Sequence, residues 1–335
     1  MTRRATVRDI AAQTGVSIAT VSRVLNGQAH VAPHTRDLVQ RAVTELGGDA
    51  PIARTPRPTP GAVFLRCPYL LSDYFGLIVS SIAETLELHG RQLILNAGEA
   101  AASAAILPTL AGRLDIGGAI VVLPPEPSEE LVALRRSGFP FVVVDPRTPL
   151  PRDIAAVSAA HFAGARNVTA HLVALGHRRI GVIAGPHNWL ASDARLAGHA
   201  SALAEVGVLP DPALIRSGEP TAGFGDHAAG ELLDLPQPPT ALIGFNDKVA
   251  VGAMVAAGRR GLRLPEDLSI AGFDDIDLAQ ATSPMLTTVR QPLQEMGRIA
   301  VGLLIRLLER HRLDALHVEL ATELIVRGST GPVRR

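Results

Sequence analysis

"TALIGFNDKVAVGAMVAAGRRGLRLPEDLSIAGFDD", residues 240–275, decides the architecture. TALIGF and LSIAGF are apolar almost throughout, as strands buried on both faces are. NDKVAVGAMVAAGRRG between them reads as a helix. Strands of this kind spaced by helices imply parallel sheets with both faces covered. Polar residues stand where the strands end: Asn246 and Asp247 after the first, Asp274 and Asp275 after the second. In open parallel sheets, ligands bind at the carboxyl ends of the strands.

The same alternation runs outward through residues 62–330. AVFLR, RQLILN, GGAIVVL, FVVVD and RIGVIAG read as further strands. FGLIVSSIAETLELHG, HFAGARNVTAHLVALG, SDARLAGHASALAEVG and QEMGRIAVGLLIRLLERH read as helices. So many units suit two sheets better than one. FVVVD ends in Asp145, and VIAGPHNWLASDAR runs from a strand end through Trp189 to Arg195. Asp, Asn and Arg pair with sugar hydroxyls, and Trp or Tyr stacks on a sugar's apolar face. Each acid alone can equally be the N-cap of the helix that follows. Several strand ends with one chemistry, together with the chain's single Trp, favour a shared site.

The first sixty residues differ in kind. They hold eight arginines and four acids, whereas the rest holds 24 basic and 28 acidic residues, for a net charge of zero. A small basic piece on a larger acidic body suggests a polyanionic partner. Three helices are expected here. TVRDIAAQT follows the N-cap Thr6, with Ile10 and Ala11 inward. SIATVSRVLNG is capped by Ser17 and stopped by Gly27. PHTRDLVQRAVTEL has Pro33 in its first turn and a stripe of Leu38, Val39, Ala42, Val43 and Leu46. In the second, Val21, Val24 and Leu25 face inward, leaving Ile18, Ala19, Ser22, Arg23 and Asn26 outside. A short helix after a tight turn, with an outward Arg, is the helix-turn-helix pattern, and Arg can bond guanine O6 and N7. A plain three-helix bundle with a solvated face has the same periodicity.

Composition removes several classes. One cysteine, Cys67, permits no disulfide within the chain, and no Cys/His spacing suits a metal. No apolar run is long enough for a membrane span, and no secretory signal follows the arginines of MTRRATVRDIAAQTG, so a cytoplasmic location is expected. An NAD(P) enzyme shares the alternating architecture but needs a glycine-rich turn after its first strand. AVFLRCPYLLSDYFG has none, and no phosphate-binding loop occurs. His177 and His187 stand without a nucleophile in a recognisable motif. No enzymatic activity and no cofactor are expected.

TVRDIAAQTGVSIATVSRVLNGQAHVAPHTRDLVQRAVTELG resembles the DNA-binding headpiece of the lactose-repressor (LacI/GalR) family. HLVALGHRRIGVIAGP, RLAGHASALAEVG, PTALIGFNDKVAVGAM, GLRLPEDLSIAGFDDIDLA, SPMLTTVRQPLQEMG and ELIVRGST are similar to its effector-binding core. The resemblance implies an all-α helix-turn-helix headpiece (1–49), a Pro-rich hinge (50–61) and an α/β periplasmic-binding-protein-like core (62–330). That core would be two parallel-sheet subdomains, one of about 62–156 and 287–316, the other of about 157–286 and 317–330. Strand crossings are expected near 155–160, 283–290 and 318–322. In the headpiece, Ile18 and Ala19 would choose bases and Arg23 would read guanine. Thr6, Ser17, Thr20, Ser22, Asn26, His30 and Thr35 would hold phosphates or flanking bases. In the core, Arg195, Asn246, Asp247 and Asp274 would contact an effector, facing Asp145 and the loop Asp73, Tyr74 and Phe75. Trp189 is added from its chemistry alone. After SGE the family often has an aromatic; Pro220 and Thr221 stand there, so Trp189 or Tyr74 would do the stacking.

The expected protein is a homodimeric repressor on a near-palindromic DNA operator, controlled by a carbohydrate effector. A purine or nucleoside effector, or a free sugar-binding protein, is the alternative. The hinge LGGDAPIARTPRPTPG, residues 46–61, departs from the family's short hinge helix. Pro56, Pro58 and Pro60 favour extended backbone, and no leucine lies between Leu46 and Leu65. A semi-rigid arm with Arg54 and Arg57 reaching a narrow minor groove is expected instead.

Overall fold

Alternate residues along the strands face opposite ways, and the core divides accordingly. The computed structural model describes residues 7–17, 20–21, 24, 31–45, 61–98, 101, 106–311, 313 and 315–334. It divides into two compact units, Met1–Pro60 and Gly61–Arg335.

In the first unit, α1 (Val7–Thr14) and α2 (Pro33–Glu45) flank a turn at Gly15, where φ is +68°. Helical residues Thr20, Val21 and Val24 follow. Ile10, Val21, Val39, Ala42 and Val43 form its core, with Ala11, Val16 and Val24 packed against them. Of the residues read as inward, these five are buried, and Ala11 and Val24 are half-buried. Leu38 is only half-buried, and Leu25 and Leu46 lie outside the described residues.

The second unit begins with β1 (Ala62–Cys67), buried at every residue. In chain order there follow α3 (Asp73–Leu88), β2 (Leu93–Ala97), α4 (Leu107–Leu110), β3 (Ile116–Val122), α5 (Ser128–Arg136), β4 (Phe141–Val144) and β5 (Ala155–Ala159). Then come α6 (His161–Ala174), β6 (Ile180–Ala184), α7 (Leu190–Ala204), β7 (Ile215–Ser217), α8 (Ala222–Leu233), β8 (Ala241–Gly244) and α9 (Asp247–Arg259). The chain continues through β9 (Ser269–Asp274), α10 (Asp277–Ala281), β10 (Thr287–Arg290), α11 (Leu293–Leu308), β11 (His317–Leu320) and β12 (Glu323–Ile325).

Two six-stranded sheets result, in the orders β11-β5-β4-β3-β1-β2 and β12-β10-β9-β8-β6-β7. The first is parallel throughout; in the second only β12 runs antiparallel. Position by position the orders repeat, so β4 of the first lobe corresponds to β9 of the second. Val63, Leu65 and Cys67 pack toward α3 and α11, while Phe64 packs on the other face with Leu107, Leu131 and Leu134. In the second lobe Leu242 and Ile270 face α8 and α9, and Ala241, Ile243 and Ala271 face α6.

The chain passes between lobes three times: after β5, after β10 and after β11. These passages follow Ala159, Arg290 and Leu320. β5 ends at Ala159, β10 (287–290) belongs to the second sheet, and β11 (317–320) completes the first. Hydrogen-bond registers fix this: β11 pairs with β5, and β10 pairs with β9. Strand β7 and helix α8 were not among the elements read from sequence.

Candidate functional site

Two acids stand at corresponding strand ends. Asp145 follows β4 and Asp274 closes β9, with φ of +53° and +114°. L-residues rarely adopt such values, and Asp tolerates them better than most. Both side chains line a cavity of about 430 Å³ between the lobes, at the carboxyl ends of both sheets. From the first lobe it is lined by Tyr69, Ser72, Tyr74, Phe75, Leu123, Asp145 and Arg147. The second lobe contributes Asn188, Trp189, Arg195, Glu219, Pro220, Thr221, Phe245, Asn246, Lys248 and Asp274, among others.

The polar groups are wired to one another. Tyr74 donates its hydroxyl to Asp145 Oδ2 at 2.8 Å, and His161 Nε2 lies 2.7 Å from Asp145 Oδ1. Arg195 lies 3.2 Å from His161 Nδ1 and donates to the Phe245 carbonyl. Its guanidinium is held over the rings of Phe245 and Phe273, 4.3 and 3.7 Å from their centroids. Such stacking suits a desolvated Arg, whose charge is delocalised. Gln291, just after β10, donates to Asp274 Oδ1 at 2.6 Å.

Burial sets the protonation of this cluster. It pushes Asp274 up to about 7, with Arg195 and the Gln291 hydrogen bond working against it. Burial also opposes the charge of Asp145, but His161, Tyr74 and Arg195 together hold that carboxyl below its ordinary value. Tyr74 is raised well above the usual phenol, by burial first and by Asp145 next. Burial lowers Arg195, with Asp274 and Asp145 opposing. The cavity thus presents a cation and an ionised acid beside a carboxyl poised to gain or lose its proton.

Aromatic surface lies at one end. Tyr69 and Phe75 stack with centroids 4.4 Å apart and planes 5° apart. Tyr69 donates to the Leu123 carbonyl at 2.7 Å and accepts from Arg147. Burial pushes the Tyr69 hydroxyl up to about 12, against the nearby Arg147 charge. Arg147 sits 5.0 Å over the Trp189 ring, and Leu190 N donates to the Arg147 carbonyl at 2.8 Å, joining the lobes. Trp189 packs against the main core clusters of both lobes.

Of the residues singled out in the core, Tyr74, Phe75, Asp145, Trp189, Arg195, Asn246 and Asp274 line the cavity. Asp73 and Asp247 do not. Asp73 pairs with Lys248 at 3.1 Å, and Lys248 also reaches Ser72 Oγ at 3.3 Å. Asp247 is fully buried; it accepts from Thr288 Oγ1 at 2.5 Å and from Ile276 N at 3.0 Å. Its carboxyl is raised well above the ordinary value by burial and by Asp274. Asp247 therefore fastens α9 to β10 and the loop after β9. Asn246 both lines the cavity and caps α9, accepting from Val249 N at 2.9 Å. Tyr69, Arg147, His161, Lys248 and Gln291 were missed. Tyr69 and Arg147 carried a signal, lying two and three residues beyond the ends of β1 and β4.

In the headpiece, Ser17 Oγ accepts from Thr20 N at 3.2 Å, so Ser17 caps the helix as expected. Ser17 is exposed, and Thr20 and Thr35 are half-buried. Thr6, Ile18, Ala19, Ser22, Arg23, Asn26, His30, Arg54 and Arg57 lie outside the described residues, as do hinge residues 50–60. Among the described residues no group of three or more His, Cys, Asp or Glu could hold a metal, and no helix is long and apolar enough to cross a membrane.

Residues 6–47 match the model for bacterial regulatory proteins of the lacI family, and residues 169–330 match a periplasmic binding protein-like domain. The chain is 34% identical over 331 residues to the HTH-type transcriptional repressor CytR of Escherichia coli strain K12, covering 97% of this chain and 96% of that one. A solved complex of the transcriptional regulator CelR with cellobiose superposes with a TM-score of 0.73 at 30% identity, covering 97% of this chain and all of the other. The lac repressor dimer bound to operator and the anti-inducer ONPF gives a TM-score of 0.73 at 28% identity, covering 98% of this chain and all of that one.

Proposed function

The chain belongs to the LacI family of bacterial regulatory proteins, and from that premise we propose that it is a repressor of carbohydrate-utilisation genes whose operator affinity is set by a ligand in the cleft. The observation that carries the ligand half is the cavity itself. Asp145, Arg195, Asn246 and Asp274 offer donors and acceptors suited to hydroxyl groups, beside the half-buried rings of Trp189 and Tyr69. The similar CelR structure is a complex with cellobiose.

Two subunits would present two headpieces to a near-palindromic site, as two-fold proteins do. Ile18, Ala19 and Arg23 would face bases, with the remaining headpiece residues and the arginines of the hinge on phosphates and the minor groove. Ligand and operator then act on one equilibrium between lobe arrangements. The ligand shifts operator affinity by no more than its own differential affinity for the two states.

The test begins with selection of duplexes from a random pool by the full chain. Thermal shift then screens cellobiose, other mono- and oligosaccharides, and nucleosides, since a ligand of the folded state raises the melting point. Operator affinity is finally measured with and without the hits. Arg23→Ala is expected to lose on the order of 1–3 kcal/mol at one base step and relax selectivity there. Arg195→Ala is expected to keep operator binding and lose the ligand response. Failure to enrich any duplex would reject the regulator; a response surviving Arg195→Ala would reject the cleft.

A further inference from the structure

The charges that line the cavity are unequally matched. Among the described residues, Arg147, Arg195 and Lys248 are its cations. Arg195 has Asp274 and Asp145 sustaining its charge, and Lys248 is 3.1 Å from Asp73. Arg147, in the loop after β4, forms no ion pair with any described carboxylate. It donates to the Tyr69 hydroxyl and lies 5.0 Å over the Trp189 ring. Asp145, two residues back, has one oxygen on Tyr74 and the other on His161. Glu219, on the second-lobe wall, is exposed and forms no ion pair among the described residues. Arg147 Nε is buried and meets no acceptor. Arg195 Nε shares that condition, but acids stand beside it.

A guanidinium so placed is set in advance for an anion. Trp189 and Tyr69, itself stacked on Phe75, hold it in position. Nε and the remaining Nη hydrogens can donate in parallel to two oxygens of one group. A ligand entering the cavity displaces water from this side chain. A neutral hydroxyl would then leave the positive charge without a counter-charge, which is costly away from water. A carboxylate or a phosphate supplies the counter-charge through hydrogen bonds stronger than neutral ones.

We propose that the ligand is an acidic carbohydrate, carrying a carboxylate or phosphate that Arg147 receives at the aromatic end of the cavity, while Asp145, Arg195, Asn246 and Asp274 take its hydroxyls. The inference deepens the reading of the cleft as a carbohydrate site and rests on it.

Trp189 is the only tryptophan and lies against Arg147, so its emission reports occupancy of that end. The full chain is titrated at one ionic strength with glucose, galactose and cellobiose, and with glucuronate, galacturonate, glucose 6-phosphate and galactose 6-phosphate. Melting temperatures are measured beside the emission, since a ligand of the folded state raises them. At least one acid should bind about tenfold or more tighter than its neutral parent. Whether a uronate or a phosphate gains tells which anion the site takes. In Arg147→Gln the preference should fall to within about twofold. A neutral sugar binding as tightly as its acids, or a preference that survives in Arg147→Gln, would overturn the proposal and leave the carbohydrate cleft standing. No response to any sugar, neutral or acidic, would overturn both. If Arg147→Gln does not fold, a structure of the intact chain with the preferred acid decides. The anion against Arg147 Nε upholds the proposal, and the anion against Lys248 or Arg195 instead overturns it.

Discussion

The carboxyl of Asp274 titrates near neutrality because burial outweighs the Arg195 charge and the Gln291 amide beside it. In the unfolded chain an Asp loses its proton near pH 4. Between about 4 and 7 the folded state therefore holds a proton that the unfolded state has lost, and stability falls as pH rises through that window. Asp274→Asn removes the fall. Its melting temperature should exceed that of the parent above pH 7 and match it near pH 4, by thermal denaturation at both. An equal offset at the two values would show that the gain comes from packing. Asp274 was legible as a residue of the cleft lining because it closes an apolar strand. Asp247 carried the same signal and proved to be an internal fastener, since sequence does not reveal which way a carboxylate turns. His161 was illegible for another reason: Asp145 and Arg195 are 16 and 34 residues away, and only the crossing brings the three together.

The helices of the second lobe approach closely through glycine. A Cβ on Gly198 of α7 would lie 2.2 Å from the Phe162 carbonyl of α6, and one on Gly252 of α9 would lie 2.0 Å from the Ala222 carbonyl of α8. Backbone on the other side cannot give way as a side chain can. Gly198→Val should cost about 1–3 kcal/mol in denaturant unfolding. Because Arg195 lies one turn earlier on α7, the same variant should weaken the ligand response more than its stability loss explains. A response intact at temperatures where the variant is fully folded would argue that α7 does not set the Arg195 position. Strands such as β1, β8 and β9 announced themselves as unbroken apolar runs. Strand β7 has only three half-buried residues, and α8 has an Ala- and Gly-rich face, so neither gave a clear period.

Across the whole second unit, the lobes are held by contacts of unequal worth. Lys248–Asp73 bridges them near the surface, with both side chains more than a third exposed. Exposed pairs contribute about 0–1 kcal/mol and weaken in salt. Lys248→Ala should therefore leave the melting temperature nearly unchanged while easing cleft opening, seen as a larger radius of gyration by solution scattering without ligand. An unchanged radius would place the restraint on the buried links at Arg147, Trp189 and His161. The two-sheet architecture was legible from alternation alone. The pairing of β5 with β11 and of β9 with β10 was not, because it joins segments whose own sequences are short and unremarkable.

Three passages between the lobes impose an order on biosynthesis. The first sheet lacks its edge until residues 317–320 have emerged, and the second lacks β12 until residues 323–325 have followed. A ribosome thus releases nearly the whole polypeptide before either lobe can close its sheet, whereas the described core residues of the first unit lie between Ile10 and Val43. Nascent chains with unpaired strand edges are exposed to aggregation. For most of its synthesis, this protein would carry two lobes whose sheets still lack an edge strand.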